Sequence, residues 1–119
     1  MKLNMGEEFA GLDFNSSRLE NRFIRTMETL AGQPDKSIWF SSENRAEAKA
    51  IYRMLSNDGL DENEILRVHR KSTVRRMIQS EKVILAIQDT MSLNYNTQKK
   101  MAGIGYISEN TLGVNIHSD

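Results

Sequence analysis

The chain contains no cysteine, a single proline and no long apolar run. The absence of cysteine excludes disulfide bonds and thiolate metal sites, and it favours a cytoplasmic location. No apolar stretch approaches the roughly 20 residues that cross a bilayer, and the N-terminus lacks the apolar core of a secretory signal, so we expect no membrane partner. With 119 residues, 39% hydrophobic and 27% charged, the composition is that of one globular domain, or of one domain with part of a second.

The formal net charge is zero, but the basic residues are unevenly distributed. Residues 15–80 contain 12 lysines and arginines against nine acidic residues, a net charge of +3. Residues 1–14 carry a net charge of −2 and residues 81–119 a net charge of −1. The modest basic excess therefore coincides with the part of the chain that shows helical periodicity, where it bears on the choice of partner.

A first helix is predicted over residues 17–31, where apolar side chains recur every three or four positions. Asn15 or Ser16 can cap its start. A second face of this helix carries arginines spaced to form one edge, which suits contacts to phosphate oxygens. The spacing alone favours a solvated face, because charged edges of helices usually contact only water. The arginines of this edge are Arg18, Arg22 and Arg25.

The next segment, residues 37–42, is predicted to be extended or a turn, with Trp39 and Phe40 anchoring the core. A second helix follows over residues 44–56, and Ser41 or Ser42 can cap it. Its predicted apolar face consists of Ala48, Ile51, Tyr52 and Leu55. Asn57, Asp58 and Gly59 terminate this helix, with Gly59 expected in the left-handed conformation.

A third helix is predicted over residues 61–79, opened by the capping-box pair Asp61 and Glu64. Five basic residues fall within ten positions of this helix, the strongest electrostatic feature of the chain. They could bind nucleic acid, an acidic partner or only water. One edge is formed by Arg67, Lys71 and Arg75. His69 is expected to be packed or half-exposed, since no second metal ligand has a suitable spacing.

The hydrophobic period changes after Lys82, and residues 83–87 are predicted to be a strand buried on both faces. Asp89 follows that strand, where a carboxylate is either a metal ligand or a turn former, and its position alone favours the turn. Two further strands are predicted over residues 103–108 and 112–117. Three strands in so few residues cannot form a self-sufficient domain, so they look like the opening of a larger sheet. The predicted fold is mostly α with a short C-terminal β part.

Three short motifs stand out by their order and spacing: SSE at Ser41–Glu43, the group of Tyr52, Arg53 and Asn57, and IQDT at Ile87–Thr90. Together they resemble the N-terminal third of bacterial DDE transposases, of the transposon-five and insertion-sequence-four type. The resemblance extends from about Glu7 to Asp119, and no single motif decides it.

The resemblance implies that residues 1–80 are a helical domain that binds the terminal inverted repeats of a transposon as double-stranded DNA. Residues 81–119 would be the opening strands of an incomplete ribonuclease-H-like catalytic domain. Asp89 would be the first of the Asp, Asp and Glu ligands for Mg²⁺ or Mn²⁺ in a homodimeric full-length enzyme. The other two carboxylates would lie beyond Asp119. This chain alone is therefore expected to hold no cofactor and to have no transposase activity.

The resemblance also implies which residues contact DNA. Its arginines near the start of the first helix match Arg18 and Arg22, whereas a position that is often basic is Leu19 here. Three more residues fall in matching segments, as phosphate contacts or as groups that orient the arginines: Lys36, Glu43 and Arg53. The charge pattern adds the edge of the third helix defined above.

Two other functions remain open. A truncated transposase could join the full-length protein and inhibit it through protein–protein association. Alternatively, the chain could be a small helix-turn-helix regulator in which residues 61–79 enter the major groove. A reading frame that continues to another aspartate and a glutamate would favour the transposase over both.

Overall fold

A computed structural model describes residues 4–98 and 100–117. The chain divides into two compact units, Met1–Glu81 and Lys82–Asp119, which we call the helical unit and the strand unit. The mostly helical fold with a short β part, predicted from the sequence, is confirmed. The described helices are α1 (Met5–Glu8), α2 (Ser17–Gly32), α3 (Ile38–Ser41), α4 (Arg45–Leu55) and α5 (Glu62–Gln79). None of these helices combines the length and apolarity needed to cross a bilayer.

Each long helix begins where a side chain satisfies its free backbone amides. Ser16 caps α2, because its Oγ accepts a hydrogen bond from the Leu19 amide at 3.2 Å. Asp61 caps α5 by accepting from the amides of Asn63 and Glu64. The predicted cap of α4 was wrong: Asn44 takes that position, and its Oδ1 accepts from the Glu47 amide at 2.9 Å.

The core of the helical unit is built around Phe23 of α2. Its ring makes edge-to-face contacts with Phe9 at 4.9 Å and with Phe14 at 5.9 Å between centroids. The remaining members of this buried cluster are Leu12, Leu19, Met54 and Val68. The segment before α2 therefore supplies three core residues, although it contains only one turn of helix.

A buried carboxylate joins α1 to α5. Glu8 is 4% exposed, and Arg76 donates hydrogen bonds to both of its oxygens while His69 lies 2.6 Å from one of them. Ser72 donates to the backbone carbonyl of Glu8 at 2.7 Å. The hydrogen bond from Arg76 lowers the pKa of Glu8, and the same contact raises the pKa of Arg76. His69 is half-exposed as expected.

The prediction for residues 37–42 was wrong. Residues 38–41 form one helical turn, since Ser37 accepts from the Phe40 amide and Ser42 Oγ donates to the Ile38 carbonyl. This turn places Ser41 inside the unit, whereas Trp39 is 53% exposed and Phe40 is 74% exposed. The two aromatic side chains therefore do not anchor the core.

The apolar face predicted for α4 is only half correct. Ala48 and Ile51 are buried, but Tyr52 and Leu55 are about half exposed, and Met54 is buried in their place. The helix ends at Leu55. Gly59 does not adopt the left-handed conformation; among the described glycines only Gly11 and Gly103 do. Gly59 instead lies close to Leu19, whose Cδ2 would be 3.2 Å from an added Cβ.

The described strands form an antiparallel sheet of order β1-β3-β2. Their bounds are β1 (Thr90–Asn94), β2 (Gly105–Ser108) and β3 (Thr111–His117). The predicted strands near residues 103–108 and 112–117 are thus confirmed, joined by a tight turn. Gly113 of β3 lies opposite Asn94 and Gly105, where an added Cβ would overlap the Leu93 carbonyl oxygen.

The buried strand predicted over residues 83–87 was wrong. These residues form no strand and are exposed, Val83 by 88% and Ile87 by 87%. The sheet begins instead at Thr90, because the central strand β3 pairs with residues 90–94, and the last pair joins Thr90 to His117. An apolar run becomes a buried strand only when neighbouring strands accept it, and no described strand pairs with this one.

Candidate nucleic-acid interface

A groove between α2 and α4 brings together the arginines predicted at these helices. Arg18, Arg22 and Arg25 come from α2, and Arg53 comes from α4. The remaining lining residues are uncharged: Ser16, Ser17, Leu19, Asn21, Ala50, Met54 and Asn57. We call this surface the arginine groove. Three of the predicted contact residues, Arg18, Arg22 and Arg53, thus share one surface although α4 follows α2 at a distance in sequence.

Polar and apolar contacts hold α2 and α4 together beneath the groove. Leu19 and Met54 are buried, and the Thr26 hydroxyl lies 3.7 Å from the Met54 sulfur. Farther along α2, Thr29 donates to the carboxylate of Glu47 in the first turn of α4, at 3.3 Å. The spacing of the arginines on α2 places them on the side of this contact that faces solvent.

The arginines of the groove are largely free of acidic partners. Among residues 4–98 and 100–117, no ion pair joins Arg18, Arg22 or Arg53 to a carboxylate. Arg25 lies 3.5 Å from Glu47, and its own side chain remains 60% exposed. Unpaired guanidinium groups along one groove create a positive potential, which attracts an anion.

The groove also includes the first turn of α2. Ser16 and Ser17 line it, and the N-terminus of a helix carries a partial positive charge from its free amides. The helix start is fixed by Glu20, whose carboxylate accepts from the amides of Phe14 and Ser16. The N-terminus of α2 and the arginines therefore both favour a negatively charged group in the arginine groove.

A second groove beside the first is acidic. It contains Glu28, Glu43 and Glu47, together with Asn21, Ile24, Arg25 and Thr29. Glu47 is buried, and a hydrogen bond from the Glu43 amide at 2.7 Å lowers the pKa of its carboxyl. Glu43, predicted to contact phosphate or to orient the arginines, therefore lines the acidic groove and not the arginine groove.

Lys36 lines neither groove. Its ammonium lies 3.8 Å from the carboxylate of Asp35, and both side chains are exposed. Such an exposed pair is screened by water and constrains neither side chain strongly. Lys36 is thus available to a partner but does not extend the arginine groove.

The basic edge of α5 lies apart from the groove and is partly engaged in structural contacts. Arg67 donates to Glu64 at 2.7 and 2.9 Å and to the Gly11 carbonyl at 3.3 Å. The hydrogen bonds from Arg67 lower the pKa of Glu64 to about 2. Arg75 contacts the Ser72 hydroxyl at 3.5 Å, while Lys71 is exposed.

Asp89 does not lie at the end of a buried strand. It is exposed and immediately precedes β1, and its carboxylate accepts a hydrogen bond from the Thr90 amide at 2.8 Å. Within residues 4–98 and 100–117, no three aspartate, glutamate, histidine or cysteine side chains come together as ligands for a metal ion. The described residues therefore do not bring together a complete set of ligands for a divalent metal ion.

The residues of the arginine groove fall within a match to a known protein family. Residues 3–60 match the transposase DNA-binding family. The match includes every residue of the arginine groove and stops before α5. It supports a transposase DNA-binding domain in this part of the chain, with DNA as the partner. The basic edge of α5 and Asp89 lie outside the matched residues.

The sequence did not single out every residue that lines the arginine groove. Asn21 was missed, although it lies three residues after Arg18 and four before Arg25, a spacing that places all three on one face of α2. Asn57 was noted only as part of a motif and as a helix terminator. Both amides become candidates once α2 and α4 are seen to enclose one groove.

Proposed function

We propose that this chain binds the terminal inverted repeats of a transposon through the arginine groove, as the N-terminal part of a cut-and-paste DDE transposase. The observation that carries the proposal is the convergence of Arg18, Arg22 and Arg53, none of them paired with a carboxylate among the described residues. The family match over the same residues supports it.

The groove suits the sugar–phosphate backbone of duplex DNA. A guanidinium group can donate two parallel hydrogen bonds to the oxygens of one phosphate. Arginines three or four residues apart on α2 have Cβ atoms about 5–6 Å apart, so their long side chains can reach neighbouring phosphates of one strand. Arg53 approaches from the opposite wall, so one strand could be held between the two helices.

The sequence resemblance supports a catalytic role for Asp89. We propose that Asp89 supplies the first carboxylate for Mg²⁺ or Mn²⁺ in a ribonuclease-H-like domain, with the other carboxylates contributed by further sequence. Such ions would activate the attacking oxygen and stabilise the leaving oxygen during cleavage at phosphorus. The full-length enzyme would act as a homodimer that pairs two transposon ends.

The contribution of the groove can be measured by removing two of its charges. We expect the double variant Arg18→Ala, Arg22→Ala to bind duplex DNA more weakly and with a shallower dependence on salt. Each lost phosphate contact reduces the slope of log K against log salt by about 1, so the expected reduction is about 2. The measurement is fluorescence anisotropy with a labelled duplex at several salt concentrations.

The matched control removes the same charge from α5, in the double variant Lys71→Ala, Arg75→Ala. Since these side chains lie outside the groove, the control should retain the slope of the unchanged chain. A slope that falls only in the α5 variant would refute the arginine groove and favour the helix-turn-helix alternative. Slopes that do not change in either variant would show that both basic edges contact only water.

A further inference from the structure

We propose that Asn21 reads an adenine base in the major groove and so gives the interface its sequence preference; this inference rests on the proposed DNA-binding function. Asn21 lines both the arginine groove and the acidic groove, which places it on the ridge of α2 between them. Arg25 is the other residue that lines both. Because this ridge protrudes between two grooves of the protein, it is the part of the protein surface that can enter the major groove of DNA.

The Asn21 amide is not used to hold the protein together. Its side chain is exposed, and it makes no hydrogen bond within the part of the chain that the structure describes. It does not cap α2, since Ser16 has that role. Asparagine is also one of the poorer residues for the interior of a helix. Neither folding nor capping therefore accounts for an asparagine at this position.

The surroundings of Asn21 favour a nucleic-acid partner. Arg18 lies one turn before it and Arg25 one turn after it, on the same face of the helix. Phosphate contacts from such arginines fix the position of a helix on duplex DNA but carry no sequence information. Reading the sequence requires a side chain that bonds to a base edge, and the Asn21 amide offers a donor and an acceptor for such a contact.

The chemistry of the amide selects the base. In the major groove, adenine presents the N7 acceptor beside the N6 amino donor, and an asparagine amide can bond to both at once. The major groove is wide enough to admit an α-helix. With the ridge of α2 in the major groove of the DNA, Arg18 and Arg22 would contact the DNA backbone beside it, which would lie in the arginine groove. Asn21 would then read one A·T pair, while the arginines supply most of the affinity.

The proposal can be tested by selecting bound sequences from a pool of duplexes with a randomised central segment. The unchanged chain is compared with Asn21→Ala and with the control Asn63→Ala. Asn63 is an exposed asparagine in the first turn of α5, outside both grooves. Alanine is the most favourable residue in a helix, so neither variant should lose its fold. We expect the unchanged chain and Asn63→Ala to enrich adenine at one position, and Asn21→Ala to lose that preference alone.

A chemical probe then identifies the contact atom. In the enriched duplex, 7-deazaadenine at that position removes the N7 acceptor without changing the pairing to thymine. We expect this change to weaken binding by the unchanged chain about 5- to 150-fold, the cost of leaving the amide donor of Asn21 without an acceptor, and to leave the affinity of Asn21→Ala unaltered.

Three results would overturn the inference. If Asn21→Ala enriches the same sequence as the unchanged chain, Asn21 reads no base, and the DNA-binding function stands. If it weakens binding to all duplexes equally and flattens the salt slope, Asn21 contacts phosphate instead. If the unchanged chain binds no duplex, the proposed function itself fails.

Discussion

Replacing Ile51 with alanine is expected to lower the free energy of unfolding of the helical unit by about 2–5 kcal/mol, the cost of emptying a buried aliphatic site. Ile51 is 1% exposed and lies on α4, two residues before Arg53. For a unit of this size, each kcal/mol lowers the melting temperature by about 4–8 °C. Thermal unfolding followed by far-ultraviolet circular dichroism measures the change, because the helical unit dominates that signal.

The control for this variant is Leu55→Ala, one helical turn later on α4. Leu55 is 53% exposed, so we expect a loss of about 1 kcal/mol or less, since surface substitutions cost little. The two variants test the packing of α4, because the sequence predicts Ile51 and Leu55 on one apolar face whereas the structure buries only Ile51. Equal losses in the two variants would mean that α4 packs with a different face from the one described.

Under the proposed transposase function, replacing Asp89 with asparagine in a protein that contains this chain and a complete set of catalytic carboxylates is expected to abolish strand cleavage, while DNA binding is retained. Asparagine preserves the shape and the hydrogen bond to the Thr90 amide but removes the charge that a divalent ion requires. The loss of stability should be small, because Asp89 is exposed. Cleavage is measured on a supercoiled transposon substrate, and binding on the isolated end.

The matched control for this substitution is Glu109→Gln, which removes an exposed carboxylate from the turn between β2 and β3. It should leave both cleavage and binding unchanged. Retained cleavage in the Asp89→Asn variant would end the catalytic assignment, since asparagine serves about as well as aspartate in a turn. Loss of binding together with cleavage would instead point to a structural role for Asp89.

The long helices could be predicted closely because their signals are local. A capping side chain and an apolar period both lie within one segment, as Ser16 and Asp61 show at the starts of α2 and α5. The positions of Trp39 and Phe40 could not be predicted in the same way. Their large apolar surfaces favour burial, but the turn formed by Ser37 and Ser42 places the small side chain of Ser41 inside instead.

The prediction of a buried strand at residues 83–87 was wrong for a different reason. An apolar run indicates that a strand can be buried, but pairing depends on strands elsewhere in the sheet. In the described sheet the edge strand β1 begins at Thr90, and the apolar residues before it remain unpaired. A pattern within one segment carries no information about which partners are present.

The candidate site was predictable residue by residue but not as a surface. The spacing of Arg18 and Arg22 indicated one helical edge, and the family resemblance added Arg53. Neither indicated that α2 and α4 pack so that these arginines line a single groove, or that Glu43 belongs to the neighbouring acidic groove. That arrangement depends on tertiary contacts, such as those of Met54 and Glu47, which join residues distant in sequence.

The location of the DNA-binding surface can be tested most directly by nuclear magnetic resonance. Unlabelled duplex DNA is added to the ¹⁵N-labelled chain, and the shifts of the backbone amides are followed. If the arginine groove is the interface, the largest shifts will fall in residues 16–25 of α2 and 50–57 of α4, with little change along α5. Shifts concentrated at the basic edge of α5, around Lys71 and Arg75, with an unperturbed groove, would contradict the proposed interface.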